Sequence, residues 1–161
     1  MLKRLRAAFL VVGGLGLLGP VAVAGSAGAA NGGRPFRVAL SGANEVPLNP
    51  HGDLDRGSAV LRINPGQERI CSTFTSYVVQ PGESLPHHAH LHRAPAGQRG
   101  DPVVTLFGPP VGPEPTSFPS QEICVSASRE LILDIMRNPE NYYVNLHNEP
   151  HHTGVMRGQL R

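Results

Sequence analysis

The placement of proline constrains this chain more than any other feature. Fifteen of its sixteen prolines fall after Arg34, set between short apolar runs. Each proline fixes φ and lacks an N–H, so it breaks helices and stays out of central ladder positions. Within the runs, apolar and polar residues alternate. Phe36, Val38 and Leu40 form one such trio, and Ala59, Leu61 and Ile63 another. A period of two puts each trio on one face of a strand. Turn signals such as Asn64-Pro65-Gly66 and Pro81-Gly82 separate the runs, the pattern of an all-β sandwich or barrel. Strands are predicted at 35–41, 57–63, 69–79, 88–93, 102–107, 121–125, 142–147 and 154–160.

One helix is predicted. Ser126 or Ser128 can cap it with a hydroxyl that accepts a first-turn N–H. Leu131, Ile132, Ile135 and Met136 then recur at helical spacing, and Asn138-Pro139 stops it, because the residue before proline avoids the α region. Residues 108–120 carry five prolines and read as a surface loop.

The first 30 residues differ from the rest. Lys3, Arg4 and Arg6 precede an apolar stretch broken by glycines and Pro20, and Ala-x-Ala patterns follow at Ala22–Ala24 and Ala27–Ala29. This is the layout of a secretory signal peptide, with residues 31–161 as a single exported domain. The glycines argue against an uncleaved membrane anchor. The whole chain has a formal charge of +2, but beyond residue 30 it holds 11 Lys and Arg against 12 Asp and Glu. No basic surface is expected, which excludes nucleic acid as a partner, and the mature protein is expected to be free of the membrane. A charged content of 16% against 40% hydrophobic residues places the domain among folded proteins.

Export gives the two cysteines a meaning. Cys71 and Cys124 are an even count in an oxidising compartment, and both lie in predicted strands. A disulfide is expected between them, with Cα atoms about 4.4–6.8 Å apart. The alternative is two separate buried thiols.

The eight histidines carry the chemistry. His87, His88, His90 and His92 form one group, His147, His151 and His152 a second, and His51 stands alone. His90 and His92 flank Leu91 in a strand, so their rings project from one face roughly 7 Å apart. His147 shares a strand face with Tyr143 and Asn145. If the two strands are neighbours, His90, His92 and His147 converge, and three imidazoles with an open position suit Zn²⁺ or Cu²⁺. His152 is the preferred fourth ligand, with His88 the other candidate. The competing reading has these rings donating hydrogen bonds to carbonyls and packing over apolar neighbours, with His51, His87 and His88 solvated. No nucleophile elbow, phosphate loop or zinc-protease motif is present, so no catalytic residue is assigned. Asp53 and Asp55 read as turn acids.

Five motifs in order resemble those of the CHRD domain, a module named from chordin. They are LSGANEVP at 40–47, AHLH at 89–92, a G-x-x-G pair at Gly97 and Gly100 before PVVTL, NPENYYVNLH at 138–147, and RGQL at 157–160. Ala94 stands where the family usually has glycine, and His152 where it usually has proline. The paired cysteines are similar to those of secreted bacterial members. The resemblance implies an immunoglobulin-like Greek-key β-sandwich, and it implies little about activity. The expected function is an extracellular binding or structural module without catalysis, its ligand or protein partner undefined, with clustered histidines as candidate ligands for copper or zinc. The alternative is a copper- or zinc-dependent enzyme of superoxide-dismutase-like type, with Arg157 guiding an anion. A growth-factor antagonist is disfavoured for a lone module.

Overall fold

The computed structural model describes residues 32–48, 52, 54–109, 118–149 and 151–161. The expected signal peptide, His51, Asp53 and most of the proline-rich loop lie outside these residues.

The strands are β1 (Arg34–Ser41), β2 (Arg56–Asn64), β3 (Arg69–Val78), β4 (His88–Arg93), β5 (Pro102–Phe107), β6 (Ile123–Ser126), β7 (Tyr142–His147) and β8 (Met156–Gln159). Helix α1 (Arg129–Arg137) follows β6. It starts at Ser128, whose Oγ accepts from Leu131 N at 3.3 Å; Ser126 instead ends β6. Asn138 closes it ahead of Pro139.

All neighbouring strands are antiparallel, in the order β5-β4-β7-β8-β1-β2-β3-β6. The ladder is therefore one sheet, where a sandwich would be drawn as two. It curls until its edge strands β5 and β6 come into contact, giving a nearly closed, barrel-like shape. The join between its two four-stranded halves is short: Ser41 pairs with Arg157 where β1 meets β8. The backbones approach closely beside it. A Cβ on Gly158 would sit 2.2 Å from Ala39 O, so only glycine fits there.

The alternating apolar residues meet inside. Val38, Leu61, Leu106, Val144 and Leu146 are all buried in one core with Phe36, Ile63, Ile70 and Leu91. α1 adds Ile132 and Ile135 to it. Fully burying one such side chain is worth about 1.5–3 kcal/mol, so these contacts fix the inward face of every strand. Cys71 and Cys124 are direct partners in the β3–β6 register and form a disulfide with Cα atoms 3.9 Å apart. This is closer than the expected range, because the two residues sit exactly opposite each other on adjacent strands.

Candidate metal centre

The site lies on the outward face of β4, β7 and β8. In the β4–β7 register His88 faces His147, His90 faces Asn145, and His92 faces Tyr143. β8 extends two of these rows, with Arg157 beside Asn145 and Gln159 beside Tyr143. Alternation sends Ala89, Leu91, Val144 and Leu146 to the core and the polar residues outward. On the other side of β4, the β5 register shifts on either side of the His90–Leu91 pair. Such irregularities re-aim side chains.

An outward face would ordinarily be solvated. Here every residue of β7 is buried, and so are His92 and Arg157. Three loops cover the face. Residues 94–101 bring Gly100, whose carbonyl oxygen lies 2.9 Å from His92 Nδ1 and whose N–H donates to Tyr143 Oη at 3.3 Å. Residues 151–155 bring the carbonyl of His152, 3.0 Å from His147 Nδ1. Residues 42–47 bring Glu45. Gly154 lets the second loop lie flat. Its φ is +131°, and a Cβ there would meet Asn145 Nδ2 at 2.5 Å and Glu45 Oε2 at 2.7 Å.

The hydrogen bonds define the tautomers. A carbonyl only accepts, so Nδ1 of His92 and of His147 must carry the proton. Their Nε2 atoms then present lone pairs. Both Nε2 atoms are buried without a hydrogen-bond partner, as is His90 Nδ1. Leaving a buried polar ring nitrogen unsatisfied costs about 1–3 kcal/mol, and this face carries three. One ligand atom from each of His90, His92 and His147 lies within 4.8 Å of the others. Ligands at 2.0–2.1 Å from a tetrahedral ion stand roughly 3.4 Å apart, so small ring rotations would draw the set around an ion. A protonated Nδ1 held by a carbonyl is the usual outer-shell support of a metal-binding histidine.

Burial keeps these rings neutral. It pushes His90 down to about 4 and His147 down to about 3, with neighbouring histidines adding to the shift. His92 is also lowered, mainly by burial and against the opposing Gly100 hydrogen bond, with Arg157 and Arg99 helping. Tyr143 stacks on His92 with centroids 4.9 Å apart, and Arg157 lies over Tyr143 at 4.6 Å.

The other candidates are placed differently. The exposed imidazole of His152 pairs with Glu149 through Nε2 at 2.8 Å, outside the three-histidine set; only its main chain serves the site. His88 stacks near His90 with centroids 5.9 Å apart, and its Nδ1 lies 2.6 Å from His87 Nδ1. Neither His87 nor His88 is fully solvated, since the strand end is partly covered. His151 pairs with Glu83 at 2.8 Å. Asp55, expected in a solvated turn, is buried and accepts from Gln80 N at 3.2 Å. Ala94 is accommodated without a positive φ. Cys71, Cys124 and Glu122 also gather, but the sulfurs are consumed by the disulfide.

Sequence reasoning did not reach Glu45. It is buried, with Oε1 unpaired, and burial pushes its carboxyl up to about 8 against the opposing pull of Arg157 and Arg99. No spacing rule links it to Asn145, a hundred residues away. Asn145 itself was visible as the residue between Tyr143 and His147 on one face.

An antiparallel sheet curled around one core, with a histidine-bearing outward face roofed by loops, defines a small β-domain built to present a site. The profile of the CHRD domain matches residues 36–160, and the chain belongs to the CHRD-domain family. Comparison with curated proteins and with solved structures found no match.

Proposed function

We propose that this is a secreted CHRD-domain protein that works as an extracellular binding module and holds a copper or zinc ion through His90 Nδ1, His92 Nε2 and His147 Nε2. One observation carries the metal reading. Each of the three rings has a buried nitrogen without a hydrogen-bond partner, one ring nitrogen of each lies within 4.8 Å of the others, and carbonyls fix the tautomer of two of the rings. The disulfide supports the oxidising compartment, as does the family. The test is metal analysis of protein purified from an oxidising compartment, followed by titration of stripped protein with Zn²⁺ and Cu²⁺. Binding of about one ion per chain is expected, and loss of that binding in His92→Ala. Absence of any saturable binding would leave a binding module without metal.

A second reading, a copper- or zinc-dependent enzyme of superoxide-dismutase-like type, is favoured by Arg157, a buried cation stacked on Tyr143 beside His92. Superoxide decay measured with copper-loaded protein separates the two readings.

A further inference from the structure

A cavity of about 550 Å³ opens beside the histidine face, lined among others by Arg37, Asn44, Glu45, Arg157, Gln159 and Arg161. We infer that it binds a small organic anion, one bearing a carboxylate or phosphate group, through the guanidinium groups of Arg37, Arg157 and Arg161. The proposal does not rest on the metal reading.

The site is built rather than incidental. Arg157 is only 3% exposed. Its Nε donates to Asn44 O at 2.5 Å and its Nη1 to Gln98 O at 2.8 Å, and its plane lies over Tyr143. These contacts fix the guanidinium, while Nη2 has no hydrogen-bond partner among the described residues. A held guanidinium with an unused donor is prepared for an oxyanion, because its planar fork matches carboxylate and phosphate geometry. Arg37 and Arg161 are exposed at the rim, and neither forms an ion pair among the described residues.

The carboxylate that would neutralise this charge is Glu45. It lines the cavity and is 5% exposed. Burial pushes its carboxyl up to about 8 against the pull of Arg157 and Arg99, which weakens its power to cancel the arginines. Arg99, on the covering loop, adds positive field, and Asp101 acts against it at His92. Concentrated positive charge in a chain whose mature part is near neutral steers anions to this place. The volume falls in the range of small-molecule sites.

The test uses the metal-stripped mature protein, titrated calorimetrically with citrate and, separately, with inorganic phosphate. Saturable binding of one equivalent is expected, weakening as salt rises. Citrate binding without phosphate binding assigns a carboxylate ligand, the reverse a phosphate ligand, and both a general oxyanion site. The double variant Arg37→Gln/Arg161→Gln, which alters only exposed side chains, should weaken binding at least about tenfold and leave the melting midpoint and zinc affinity unchanged. Arg157→Lys keeps the charge but loses the fork, and should weaken citrate further. No saturable binding of either anion up to about 10 mM, or equal binding by the double variant, would overturn the proposal.

Discussion

His147 Nδ1 lies 3.0 Å from the main-chain carbonyl of His152, five residues further along the chain. The contact fixes the imidazole of His147 through an atom that every residue type at position 152 possesses. The His152 side chain turns away to Glu149. His152 thus holds the ring of His147 through its backbone and not through its own imidazole.

That separation gives the first prediction. His152→Ala should bind zinc within about twofold of the parent. His147→Ala and His92→Ala should each lose more than about 100-fold, since outer-shell losses alone cost 10–100-fold. Calorimetric titration of each variant measures the difference, and a large loss in His152→Ala would show its imidazole to be a ligand.

Acid sensitivity follows from the buried rings. His90 and His147 are lowered to about 4 and about 3 from 6.5. Below pH 6.5 the unfolded chain takes up protons that the folded chain refuses, so these two groups make the metal-free fold less stable as pH falls. The loss continues down to the folded values. Urea midpoints between pH 7 and pH 4 should fall, and His147→Gln should flatten the slope. Bound zinc should oppose the fall, because it requires the neutral rings.

Gly154→Ala should destabilise the protein by about 1–3 kcal/mol. The added methyl group would enter space held by Asn145 and Glu45, at a φ that favours glycine. It should also weaken zinc binding, since the loop it displaces carries the His152 carbonyl. Denaturant unfolding gives the first effect and titration the second.

Reducing the Cys71–Cys124 bond, which spans 53 positions, should cost about 4 kcal/mol in the chain-entropy account. The measurement is the shift in unfolding free energy on adding reductant. Intact mass after alkylation, with and without reduction, verifies that the bond was present.

The strands and the inward faces were legible in the sequence because both are local. A strand alternates with period two whatever surrounds it, so Ala89 and Leu91 declared a core face and His90 and His92 the other. Turn residues bounded the elements to within a few positions, and Ser128 with Asn138 bounded α1. Two cysteines in a chain expected to be exported pointed to one bond.

Tertiary structure decided what the outward face became. Alternation in the sequence puts Tyr143, Asn145 and His147 on one strand face, and loops from three distant parts of the chain bury all three. Burial depends on how those loops pack, and no periodicity encodes that. The same packing sets the carbonyl of His152, not its imidazole, against His147, where it accepts from Nδ1, since the local backbone decides which of its atoms reaches that ring. It also brought Glu45 against Asn145 and Arg157, residues separated by about a hundred positions. That desolvation pushes the histidines down and the Glu45 carboxyl up: residue types set which groups can titrate, and only the folded surroundings set where.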